Sequence, residues 1–148
     1  MSPTGLTQDA GWEIGASRTF PVAIEEAWDV VVDGPGLAVW LGEGAVLPDE
    51  VGGPYRTTDG TEGELRSLRP LDRVRLTWQP PGRAGRPTTV QVAVRASATG
   101  TSVRFHQEHL ADADERERQR AHWQAALTRL ADLLTGIPEP HPADRREV

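Results

Sequence analysis

The succession of hydrophobic periods along the chain predicts an α+β domain in which a curved antiparallel sheet grips one long C-terminal helix. Three observations carry this expectation. An alternating strand is followed by two short helical stripes, a series of alternating segments is joined by short Gly/Pro turns, and the last stripe is long and helical in period. The 148 residues suit one domain. A chain of this length buries roughly two thirds of the surface it exposes when unfolded, so its core needs neither metal nor disulfide.

Residues 1–11 offer little to bury and read as a flexible N-terminal tail, residues 12–136 as the single domain, and residues 137–148, with prolines among charges, as a flexible C-terminal tail. Trp12 to Phe20 alternates Trp12, Ile14 and Ala16 as a first strand, which Pro21 stops. Ile24, Ala27, Trp28 and Val31 then stripe one side of a helix that ends at Asp33-Gly34-Pro35-Gly36. A second short helix, Leu37 to Leu41, carries Trp40 and stops at Gly42. Gly52-Gly53-Pro54 reads as a turn.

The strands Thr61 to Leu68 and Arg73 to Gln79 are joined by Pro70-Leu71-Asp72; Val74, Leu76 and Trp78 share the core face, and Arg73, Arg75 and Thr77 the solvent face. A long connection, Pro80-Pro81-Gly82 to Pro87, leads to the alternation Val90, Val92, Val94. After the turn at Ala98 to Thr101, the last strand puts Val103, Phe105, Gln107 and His109 inward and Arg104, His106 and Glu108 outward. Short connections make the meander antiparallel. The final helix starts with Asp112 as N-cap and Glu115 three residues on, a capping box. Its inner stripe is Trp123, Leu127, Leu130, Leu133 and Leu134, and Gly136 and Pro138 end it.

Composition excludes several functions. There is no cysteine, so thiol chemistry and cysteine-ligated zinc are absent. All 16 basic side chains are arginine, so no Schiff-base or P-loop lysine exists. A net charge of -6 with no dense basic cluster argues against nucleic acid. No apolar run approaches the ~20 residues of a membrane span, and the expectation is a soluble, cytoplasmic protein. The aromatic set is unusual, with Trp 5 against Phe 2 and Tyr 1. Large rings with a polar N–H suit a cavity as well as a core.

Several runs carry a resemblance: Ala23 to Trp28, then Trp40-Leu41-Gly42, Val51 to Arg56, Gly63-Glu64-Leu65, Arg69 to Trp78, Gly100 to Val103, and His122-Trp123 with Leu127, Leu130 and Leu134 behind it. In order and spacing, over roughly residues 12 to 135, the chain resembles the bacterial homologues of the activator of the heat-shock-protein-ninety ATPase, in the SRPBCC or START-like superfamily. The resemblance implies the helix-grip fold, whose long helix and sheet enclose an elongated, mostly apolar cavity. It implies no single activity, because members bind lipids, sterols or polyketides, a minority are cyclases or hydrolases, and the eukaryotic activator stimulates a chaperone ATPase. Where many relatives carry an inward histidine near the end of the last strand, this chain has Gln107.

Tested for chemistry, the residues offer little. His106 and His109 stand three apart on a strand, so their rings face opposite sides and no metal site is expected. No serine lies in a nucleophile elbow, and Gly52-Gly53 is a bend with no phosphate cradle. Glu62 and Glu64 share a face that reads as solvated. The leading expectation is non-catalytic binding of a small apolar or aromatic molecule, with no cofactor, by a monomer or homodimer. The expected lining is Trp40, Tyr55, Trp78, Phe105, Gln107, His109, Gln119 and Trp123, with Arg116 or Arg120 reaching the rim. The alternatives are an interaction module that takes a chaperone as partner, and a cyclase or hydrolase of a polyketide-like substrate.

Overall fold

The computed structural model describes residues 6–7 and 11–134. Its elements run β1 (Leu6–Thr7), β2 (Gly11–Phe20), α1 (Ile24–Val32), α2 (Gly34–Trp40), β3 (Pro54–Arg56), β4 (Glu62–Arg69), β5 (Arg73–Trp78), β6 (Thr88–Ser97), β7 (Gly100–Leu110) and α3 (Ala113–Leu134). The strands form one antiparallel sheet in the order β1-β2-β7-β6-β5-β4-β3. The α+β helix-grip expectation is met: α3 packs on β2 and β7, and α1 and α2 close over the same side.

Alternation explains why the inner face is apolar. Val74 and Leu76 of β5, Val90, Val92 and Val94 of β6, and Val103 and Phe105 of β7 are all buried, and α3 turns Trp123, Ala126, Leu127, Leu130 and Leu134 toward them. Leu133, expected in the inner stripe, is exposed instead and lies on the flank of the helix. Asp33 both ends α1 and caps α2, its carboxylate accepting the Gly34 N–H at 2.8 Å, and Pro35 sits in the first turn, where no amide hydrogen is needed. The Asp33 to Gly36 run therefore starts a helix that the sequence expectation began only at Leu37.

Three further departures follow from strand pairing. Residues 6–7 pair with Trp12 and Gly11 as a short edge strand, so the expected N-terminal tail is not wholly outside the sheet; the expected C-terminal tail lies outside the described residues. Pro54, expected in a turn, opens β3 with Tyr55 and Arg56 and pairs with β4, and Gly63 opposite Tyr55 permits it, because a Cβ there would lie 2.0 Å from the Thr77 carbonyl oxygen. The third departure reaches the site. Trp12 pairs with Leu110 but Ile14 with Gln107, so Glu13 faces two β7 residues, Glu108 and His109, in a bulge. His109 takes the left-handed conformation at φ 68, and the inward place passes to Leu110, which is buried.

Candidate functional site

Between α3 and the sheet the interior is filled by rings. Phe105 and Trp123 stack at 4.7 Å between centroids and 18°, and Trp40 tilts against both, at 5.8 Å and 6.5 Å. All three side chains are almost fully buried. Trp40 is fixed by its indole N–H, which donates to the Val31 carbonyl at 2.8 Å and so ties α2 to the end of α1. His122 completes the group, edge-on to Trp123 at 4.6 Å with Nε2 3.2 Å from the Trp40 carbonyl oxygen. Much of the residue's surface is exposed, but crowding around the ring pushes its pKa down, with a smaller push from Arg129, against the upward pull of the Trp40 carbonyl.

One polar side chain sits among these rings. Gln107 of β7 has no exposed surface. Its Oε1 accepts from the Trp123 indole N–H at 3.0 Å and from Gln119 Nε2 at 3.0 Å, while its Nε2 donates to Thr88 Oγ1 at 2.9 Å. The indole can only donate, which fixes Oε1 toward Trp123 and the amide nitrogen toward Thr88. Thr88, itself fully buried, passes the chain on by donating to the Trp78 carbonyl at 3.2 Å. The network crosses from α3 through β7 and β6 to β5, and Gln119 is its half-buried outer member.

Above this hub the β5–β6 connection is strapped to the start of α3. Arg83 Nε and Nη2 donate to the two Glu115 oxygens at 2.6 and 2.7 Å, with only 10% and 11% of the two side chains exposed. Arg83 Nη1 also donates to Gln79 Oε1 at 3.0 Å and to the Arg86 carbonyl at 2.7 Å. Hydrogen bonding to Arg83 holds the Glu115 carboxyl below the usual carboxylate range. The capping box is present in altered form: Asp112 accepts the Glu115 N–H at 2.8 Å, but Glu115 reaches back to the Ala111 N–H, also at 2.8 Å.

The structure thus brings together Trp40, Phe105, Gln107, Gln119 and Trp123, with Trp78 half-buried beside the core and joined through Thr88. It separates the other three expected residues. His109 is displaced by the bulge. Arg116 donates its Nε–H to the Glu13 carbonyl at 2.7 Å and pairs through Nη1 with Glu117 at 3.3 Å. Tyr55 is buried with its hydroxyl on the Thr77 carbonyl at 2.6 Å, where burial pushes the phenol pKa far up, and it lies in a separate 640 Å³ groove at the β3–β4 edge. That groove and three others, of 540, 420 and 280 Å³, have none of Trp40, Phe105, Gln107 or Trp123 on their walls. Glu64 pairs with Arg66 at 3.1 Å on the exposed face, as a solvated carboxylate does. Among the described residues no group of three or more His, Asp or Glu could hold a metal ion, and no helix is long and apolar enough to cross a membrane.

Thr88, His122 and Arg83 were missed. Thr88 opens an alternating valine strand on the inward face, and that alternation was the available signal. The contacts of His122 and Arg83 depend on residues far away in sequence.

The family model of activator of Hsp90 ATPase homolog 1-like proteins matches residues 21–135. The chain belongs to that family. Solved structures agree on the fold. Protein CV1439 from Chromobacterium violaceum is similar at 22% identity and a TM-score of 0.69, over 86% of this chain and 98% of that one. CalU16 from Micromonospora echinospora is similar at 17% identity and a TM-score of 0.71, over 90% and 80%. The Aha1 dimer from Colwellia psychrerythraea is similar at 19% identity and a TM-score of 0.67, over 82% and 95%. No curated protein matches the sequence.

Proposed function

We propose that this family member is a cytoplasmic, non-catalytic receptor for a small apolar or aromatic molecule, held between α3 and the sheet at the Trp40, Phe105 and Trp123 rings. The observation that carries the reading is Gln107. A core built only for stability would fill this position with an aliphatic side chain, whereas an amide buried among rings needs every partner in place. Apolar walls with a few fixed polar groups are what small-molecule sites share. The rings fill the space, so a ligand enters by displacing side chains, and half-buried Gln119 is the hub member within reach of solvent. A ligand in its place must donate an N–H or O–H to Gln107 Oε1, which favours hydroxylated or amine-bearing aromatic molecules. A glutamine amide is no acid or base at neutral pH, which supports binding without turnover.

The test is a titration of intrinsic tryptophan emission with a panel of hydroxylated naphthalenes and anthraquinones. Saturable quenching that Gln107→Leu weakens about tenfold, the worth of one lost hydrogen bond, supports the reading. Failure of the whole panel to bind overturns it.

A second reading, an interaction module for a chaperone, is favoured by the packed interior and by Val46 and Val51, which are 75% and 66% exposed on the α2–β3 connection. Recovery of Hsp90 in a pull-down, with stimulation of its ATPase by the pure protein, would support it. Loss of both on Val46→Asp with Val51→Asp would assign the surface.

A further inference from the structure

The opposite face of the sheet carries a feature that the aromatic site does not use. Ala93 of β6 lies in register with Arg73 of β5 on one side and Arg104 of β7 on the other. Its same-face neighbours along β6 are Gln91 and Arg95. Together with Ser102, His106 and Asp72, residues of this set wall a 420 Å³ groove that includes Ala93, Arg95 and Arg104.

The charges on this face divide into two groups. Arg75 is taken by Glu108 at 2.7 Å and by Gln91 Oε1 at 3.3 Å, and His106 by Glu13 at 2.9 Å. Arg73, Arg95 and Arg104 form no ion pair among the described residues. Arg73 also buries its Nε without a hydrogen-bond partner among them. Asp72 is the one carboxylate on the groove wall, so the two unpaired guanidinium groups there, Arg95 and Arg104, outnumber it in a chain whose net charge is -6. Neighbouring strands are about 4.8 Å apart. Arg95 and Arg104 are diagonal neighbours on β6 and β7 and both wall the groove beside the small Ala93 side chain, so their long side chains can reach one oxyanion.

We propose that this groove is a binding site for a small polyvalent oxyanion, a phosphate ester or a polycarboxylate, held by Arg95 and Arg104. The site is independent of the aromatic interior and does not require it to bind anything. The planar forks of arginine, with no lysine anywhere in the chain, suit bidentate contacts to phosphate or carboxylate oxygens.

The experiment is a titration of the full chain with inorganic pyrophosphate and with citrate at constant ionic strength, followed by backbone amide NMR. Saturable shifts at Ala93, Arg95 and Arg104 are expected. Tighter pyrophosphate binding would assign the phosphate class, and tighter citrate binding the polycarboxylate class. Arg95→Ala and Arg104→Ala should each weaken binding about tenfold, and Arg104→Lys, which keeps the charge but loses the fork, by less. Arg95 and Arg104 are exposed, so an unchanged Tm would show that these variants fold. Arg66→Ala, which removes an exposed arginine paired with Glu64, should leave binding unchanged. The proposal is overturned if neither anion saturates, if the shifts map elsewhere, or if Arg66→Ala weakens binding as much as Arg104→Ala.

Discussion

Replacing Arg83 with alanine isolates the strap that closes the hub end of the interior. The substitution removes both contacts to Glu115, at 2.6 and 2.7 Å, and the donations to Gln79 and the Arg86 carbonyl. Truncating one partner of a buried ion pair costs about 3–5 kcal/mol, chiefly because the other charge stays behind. Glu115 keeps the Ala111 N–H at 2.8 Å, and the vacated side opens to water, so the low end applies: about 3 kcal/mol, or a fall in Tm of about 9 °C for a domain of this size. Glu115→Gln keeps the shape and the Ala111 bond and should cost less. The pH dependence has a definite sign. The folded carboxyl is held below its usual value, so its contribution is present above about pH 4.3 and is lost as pH falls through the folded pKa. Urea unfolding followed by tryptophan emission should show a constant gap between wild type and Arg83→Ala from pH 5 to 8, closing below about pH 4. A gap under about 1 kcal/mol at pH 7, or one that stays open at low pH, would refute the reasoning.

Three other substitutions test the packing. Gly63→Ala places a methyl 2.0 Å from the Thr77 carbonyl oxygen, and should cost about 3 kcal/mol or detach β3, seen as lost amide protection at Tyr55 and Arg56. Gln107→Leu leaves the Trp123 indole N–H without its acceptor and should cost about 1–3 kcal/mol in urea unfolding. Trp40→Ala removes the Val31 bond and two ring contacts, and should cost about 3–5 kcal/mol, with the loss shared by α1 and α2 in hydrogen exchange.

The sequence made the fold legible because each strand alternates and each helix carries a stripe, so the buried faces of β5, β6 and β7 followed from period alone. The gathering of Phe105 and Gln107 with Trp123 was legible for the same reason, once α3 had to cover that face. His109 was lost because alternation assumes an unbroken strand, and the bulge opposite Glu13 is set by pairing with β2, nearly a hundred positions away in the chain. The place of Arg116 was not legible because its Nε–H goes to the Glu13 carbonyl of β2, 103 positions away in the chain. The strap was invisible because Arg83 and Glu115 lie 32 residues apart with no local pattern joining them. The filled interior follows from ring orientations, which no spacing encodes.

The central claim is that the interior around Gln107 receives a ligand. Nitrogen-15 NMR of the Trp123 indole N–H and the Gln107 and Gln119 side-chain amides, recorded while a saturating hydroxylated aromatic molecule is added, tests it most directly. The account predicts that all three signals move together and that the Trp40 indole responds through its ring contacts. Signals that hold still while only surface amides shift would contradict it.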